Sequence, residues 1–226
     1  MFKSFTKNIF ARFGIDIRRR SEMHVTPITS KWLGDFYYFV ERYRGIEHLE
    51  GDIVECGIGR GRTFLYLAFL IAKDKTRRML WGFDSFHGFP EPSAEDKSPR
   101  NPQKGERDNT TIHDVTWLLR DAGIPSEVVE KQVGIIPGFF NESLQKYTGG
   151  KIAFLHIDVD LYQSYKECLG VLYPKVVPRG VVLFDEYDDP AFPGGGKAIR
   201  EYFAGKSIEI KKDSLSGKHY LIKPSS

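Results

Sequence analysis

Short apolar runs that stop at acidic or glycine-rich residues alternate along this chain with stretches whose apolar positions recur at helical spacing. The first kind reads as strands buried on both faces, the second as amphipathic helices. Their alternation predicts an α/β domain on a mostly parallel sheet. Strands are expected at 53–56, 79–83, in a stretch ending at Ile136, at 152–157 and at 181–184. Helices are expected at 29–44, capped by Thr29 or Ser30, and at 64–72, 115–122, 163–172 and 198–203. Pro178-Arg179-Gly180 reads as a tight turn into the strand at Val181. Residues 208–211 and 220–222 read as an antiparallel hairpin around Ser216-Gly217.

At 226 residues, the chain is long enough to bury one substantial core, so 29–226 is read as a single domain and 1–28 as a tail. The tail spaces Phe2, Phe5, Ile9 and Phe13 at near-helical intervals among basic residues. A peripheral contact with an anionic membrane through residues 1–20 is one expectation, and a helix packed on the domain or on a second subunit is the other. The first 20 residues hold six of the 33 basic residues and one of the 30 acidic ones. The basic balance therefore belongs to the tail, and nucleic-acid binding by the domain is not expected. No apolar run approaches the roughly 20 residues of a membrane span, and the tail lacks a secretory cleavage site. A cytoplasmic protein, at the inner face of the membrane if the tail binds there, is the expectation. Cys56 and Cys168 are too far apart for a metal knuckle and read as inert buried thiols. Residues 88–110, rich in Pro, Gly and charge, make a loop too long for a simple connection and read as a mobile lid or substrate loop, with disorder without function as the alternative.

The chemistry concentrates where strands end. Ile152–Ile157 stops at Asp158-Val159-Asp160, and 181–184 stops at Asp185-Glu186. Carboxyl ends of parallel strands are where ligands bind in open α/β sheets. Four carboxylates on one edge need cations, protons or hydroxyls to justify their crowding. Gly51 to Thr63 reads as strand, glycine-rich turn and helix start, with Gly57, Gly59 and Gly61 letting backbone approach a ligand and the helix start near Thr63 offering free N–H groups to an anion. Arg62 stands where a dinucleotide fingerprint requires glycine. Asp84-Ser85, at the end of the second strand, is placed to accept from ribose hydroxyls, with a turn as the alternative. His156 reads as a hydrogen-bonded core histidine, and Asp188 and Asp189 as turn residues. Tyr162 and Tyr187 are read either as lining an acceptor pocket or as packing.

The sequence resembles the macrocin O-methyltransferase family (the TylF/MycF type) of S-adenosylmethionine- and metal-dependent sugar methyltransferases. GDIVECGIGRGRT, GFDSFHGFPEP, VGIIPGFFNESL, HIDVDLYQS, GVVLFDEY and PGGGKAIREYF carry the resemblance, in the family's order, from Gly51 to about Phe203. It implies a class I methyltransferase fold, a Rossmann-like sheet of seven strands, and S-adenosylmethionine held by Glu55, Gly57, Gly59, Gly61, Thr63, Asp84 and Ser85. It further implies a divalent cation, usually Mg2+, on Asp158, Asp185 and Glu186, with Asp160 as general base. Glu186 departs from the family's more usual aspartate. The implied acceptor is a hydroxyl of a small molecule or glycan, and a homo-oligomer is expected. A metal-dependent methyltransferase of catechol-like phenols is the nearest rival, and a nicotinamide-dependent sugar oxidoreductase the more distant one.

Overall fold

The apolar run Ile152–Ile157 is β4, buried at every position, with a parallel neighbour on either side. In this computed structural model, which describes residues 29–225, the remaining elements assemble around it. The whole sheet lies within Gly34–Ser226. The tail expected at 1–28 lies outside the described residues.

The sequence runs α1 (Ser30–Arg44), β1 (Asp52–Cys56), α2 (Arg62–Lys73), β2 (Leu80–Asp84), α3 (Ile112–Asp121), α4 (Ser126–Lys131), β3 (Val133–Pro137) and the short α5 (Phe140–Ser143). After β4 come α6 (Tyr162–Leu172), β5 (Val176–Phe184), α7 (Pro193–Phe203), β6 (Lys211–Lys212) and β7 (His219–Ile222). They form one seven-stranded sheet in the order β3-β2-β1-β4-β5-β7-β6. β1 to β5 are parallel, and β7 pairs antiparallel with both β5 and β6. The order reverses between β1 and β4, which opens a crevice at their carboxyl ends.

Alternate side chains of each strand feed two cores. On one face Ile53, Phe154 and Leu183 pack with Phe39, Phe64, Leu67 and Leu119. On the other, Val54, Leu155, Ile157 and Val182 pack with Tyr165, Leu169, Leu172 and Ile199. Cys56 and Cys168 are both buried free thiols, and burial raises Cys168. No helix among the described residues is long and apolar enough to cross a membrane.

Two expectations are corrected. Pro178-Arg179-Gly180 is not a turn before a strand but an irregularity inside β5. Val176 already pairs with Ile152, the register shifts between Ile152 and Phe154, and Arg179 takes a positive φ of 65°. The Arg179 N–H donates to the Lys223 carbonyl, so β5 keeps a backbone partner through the interruption. The second correction concerns α7, which begins at Pro193, so the three glycines ahead of the helix expected at 198–203 lie inside it. A Cβ on Gly195 would lie 2.9 Å from the Glu186 Cβ, and one on Gly196 would lie 2.2 Å from the Tyr187 carbonyl oxygen. Tertiary packing overrides the weak helix propensity of glycine there. The helix needs bare backbone to approach the end of β5.

Candidate active site

β1 delivers Glu55 and then turns through Gly57, whose φ is 85°. A Cβ there would stand 1.7 Å from the carbonyl oxygen of Asp158. The Asp158 N–H donates to the Cys56 carbonyl at 2.9 Å, so the glycine turn and the acidic edge are fastened to each other. Gly57→Ala is expected to cost about 2–4 kcal/mol, since it combines a backbone clash with an unfavourable φ. A urea midpoint equal to that of the unaltered protein would contradict this close approach. Gly59 and Gly61 also have positive φ; a Cβ on Gly59 would meet open space. α2 starts behind Gly61 with no side-chain cap, so the positive end of its dipole stands near Thr63, where an anion would be favoured.

Glu55 is fully buried. Its Oε1 accepts from His156 Nδ1 at 2.7 Å. Its Oε2 is buried with no hydrogen-bond partner among the described residues, although the Thr63 hydroxyl is near enough to lower its proton affinity. Burial pushes Glu55 up, and His156 opposes that. An orphaned carboxylate oxygen beside an open glycine turn fits a cationic group of a ligand. Asp84 ends β2 on the same edge. Its Oδ2 accepts from the Gly59 N–H at 2.9 Å and its Oδ1 from the Phe86 N–H at 2.8 Å. Each oxygen keeps a further lone pair, so the turn role does not exclude accepting from hydroxyls. Ser85 donates to the Gly88 carbonyl at 2.7 Å and accepts from the His87 N–H, which occupies its hydroxyl in the turn.

The ends of β4 and β5 bring the acids into two groups that share Asp158, with Asp185 beside His156 and Glu186 beside Asp160, so the three expected cation ligands do not form one group. Ligating oxygens of Asp158, Asp160 and Glu186 lie within 4.8 Å of one another, as do ligating atoms of His156, Asp158 and Asp185. Asp158 belongs to both groups, and among the described residues nothing donates a hydrogen bond to its carboxylate. Burial, with Asp185 next, pushes it up to about 8. Asp160 takes a left-handed φ of 61°, a conformation aspartate tolerates better than most residues. Burial pushes its carboxyl up to about 6, against the pull of Arg107. The Glu186 carboxylate accepts from the Tyr165 hydroxyl at 2.7 Å and from the Asp160 N–H at 3.3 Å. Burial raises Glu186 well above the usual range. Against the effect of burial, His156 and Lys218 hold Asp185 below the usual carboxylate range. The carboxylate oxygens of this edge have the chemistry a hard divalent cation takes.

Four participants escaped the sequence reading. His156 is buried as expected, but it lies between two carboxylates, with Nε2 3.7 Å from Asp185 Oδ1. Burial alone would lower it; Asp185 and Glu55 on either side hold it up to about 10. Tyr165, on α6, is fixed by Glu186 and the Ile157 carbonyl. Arg107 comes from the 88–110 loop, and its Nη1 donates to Asp160 Oδ2 at 3.0 Å. Its guanidinium also stands 5.3 Å from the ring centres of both Phe89 and Phe192. Lys218 reaches Asp185 from the turn between β6 and β7.

The loop itself is pinned at its centre. Buried Asp96 accepts from the Tyr162 N–H and from both the N–H and hydroxyl of Ser93, while Ser98 donates to the Ala191 carbonyl. Tyr162 spends its hydroxyl on Glu201 at 2.6 Å, and the Tyr187 ring packs 4.6 Å from that of His219. Asp189 accepts from the Ala191 N–H in a turn, whereas Asp188 stands 3.3 Å from His219 Nε2.

Comparison with known proteins gives this geometry a context. A family model described as Macrocin-O-methyltransferase (TylF) matches residues 17–215. An enzyme of Streptomyces olivaceus, 8-demethyl-8-(2,3-dimethoxy-alpha-L-rhamnosyl)-tetracenomycin-C 4'-O-methyltransferase, is 30% identical over 193 residues, which is 85% of this chain and 72% of that one. Mycinamicin III 3''-O-methyltransferase of Micromonospora griseorubida is 28% identical over 180 residues, covering 78% of this chain and 69% of its own. Among solved structures, the O-methyltransferase NovP superposes with a TM-score of 0.70 at 27% identity, covering 86% of this chain and 80% of that one.

Proposed function

The chain belongs to the macrocin-O-methyltransferase family and is an S-adenosylmethionine-dependent O-methyltransferase; from that premise we propose that it methylates a sugar hydroxyl, in a glycoside, glycolipid or polysaccharide precursor, with help from a divalent cation. The observation that carries the reading is the pairing of a glycine turn and orphaned Glu55 oxygen with a four-carboxylate edge fastened directly to it. One of the relatives is named for methylating a rhamnosyl-bearing molecule.

S-adenosylmethionine, when bound, supplies an activated methyl group on a sulfonium. Within this proposal Glu55 accepts from its ammonium, the first turn of α2 near Thr63 receives its carboxylate, and Asp84 accepts from its ribose. Ser85 shapes that turn. Asp158, Asp185 and Glu186 would hold the cation, which would supply a positive charge against which acceptor hydroxyls are oriented and made more acidic. Asp160 takes the proton from the attacking hydroxyl, since a carboxylate at the edge of that group can accept it as the methyl is transferred. Arg107 covers this base, so the 88–110 loop serves as the lid that an entering acceptor must shift.

With S-adenosylmethionine and Mg2+, a panel of glycosides is expected to show methyl transfer that EDTA abolishes and Mg2+ restores. Turnover confined to catechols would overturn the sugar assignment, and turnover indifferent to EDTA would overturn the metal.

A further inference from the structure

The acidic edge meets a cation that the chain itself supplies. Lys218 Nζ donates to Asp185 Oδ1 from the short turn between β6 and β7, and its side chain is only 16% exposed. That turn is tightly organised. Asp213 Oδ1 accepts from the N–H groups of Leu215 and Ser216 and from the Ser216 hydroxyl. The Asp213 N–H donates to the Lys218 carbonyl, and the Lys218 N–H donates to the Ser216 hydroxyl. The backbone of Lys218 is thus held on both sides. Only the flexible four-carbon stem carries the charge inward.

We propose that Lys218 is a built-in counter-cation that competes with the divalent ion for Asp185 and so sets the ion affinity of the site. The inference rests on the metal site proposed above. Asp185 meets the Lys218 ammonium directly and has the His156 ring at 3.7 Å, while Asp158 belongs to both groups of ligating atoms. An ion that takes Asp185 must displace the ammonium or share an oxygen with it, and like charges at such separations repel strongly in a shielded site. A lysine is suited to leaving, because its single charge makes no bidentate clasp and its stem can swing to water while the turn stays fixed. Before an ion arrives the same ammonium offsets part of the repulsion among the carboxylates. It therefore tunes the site in both states.

The test is a Mn2+ titration followed by electron paramagnetic resonance, on the full chain and on Lys218→Met and Lys218→Arg. Lys218→Gln stands in should the methionine variant fail to melt cooperatively by circular dichroism. Removing the charge is expected to tighten Mn2+ binding by about tenfold or more, whereas Lys218→Arg, which keeps it, stays within about threefold of the unaltered protein. Equal or weaker binding by a folded, charge-less variant, with Mn2+ still bound by the unaltered protein, would overturn the role of Lys218 and leave the metal site standing. Failure of every form to bind Mn2+ would overturn the metal site, and this inference with it.

Discussion

Asp158→Asn lowers turnover by more than about a hundredfold, beyond what is typical of residues that only support a ligand, while affinity for S-adenosylhomocysteine stays within about threefold. That is the expected result of steady-state assays with saturating Mg2+ combined with calorimetry. The reason lies in the position of this carboxylate. Asp158 belongs to both triads of ligating atoms, and among the described residues no hydrogen bond engages its carboxylate. Its backbone, by contrast, is tied to the glycine turn through the Cys56 carbonyl. Asparagine preserves the shape and removes the charge, so the donor site keeps its frame while the acidic edge loses its central member. Loss of S-adenosylhomocysteine binding with an unchanged melting temperature would mean that Asp158 serves the donor and not the ion.

Glu55→Gln acts on the other half. A buried carboxylate with one oxygen on His156 and the other orphaned is waiting for a donor. Taking the charge from one partner of a buried ion pair costs about 3–5 kcal/mol, so S-adenosylhomocysteine binding is expected to weaken by about a hundredfold or more. The amide retains a hydrogen bond to one neighbour but cannot accept at both oxygens. Calorimetry checks the affinity, and circular dichroism checks that the core around His156 is intact. Unchanged affinity in a folded variant would reduce Glu55 to a partner of His156.

These two variants separate features that the sequence made legible to different degrees. The strand ends were readable because apolar runs stop abruptly at Asp84, Asp158 and Asp185, and parallel strands put such ends on one edge. Gly57, Gly59 and Gly61 were readable because alternating glycines after a strand have few structural uses, and all three have positive φ. The Pro193-Gly194-Gly195-Gly196 stretch was misread, since glycine disfavours helix and its need for close contact with Glu186 is a tertiary fact. His156 looked like a core residue by its apolar neighbours. Its two carboxylate partners come from β1 and from the residue just past β5, and strand pairing, not sequence distance, brings them together. Arg107 and Lys218 sit in polar segments where basic residues are ordinary, so nothing in their spacing marked them. Only the return of the 88–110 loop to Asp160 and of the β6–β7 turn to Asp185 gives them a role.

Across the whole edge, the account assigns charge to function. In the proposed reading Glu55 would face the methyl donor, Asp160 would take the proton, and Asp158, Asp185 and Glu186 would share the cation, with Glu186 steadied by Tyr165. The most direct test is a crystal structure with S-adenosylhomocysteine and Mn2+, read through the anomalous signal of the metal. The account predicts one strong anomalous peak in contact with Asp158, Asp185 and Glu186, with Lys218 drawn away and the ligand's ammonium on Glu55. A peak elsewhere, or none at saturating Mn2+ with the donor product bound, would contradict it.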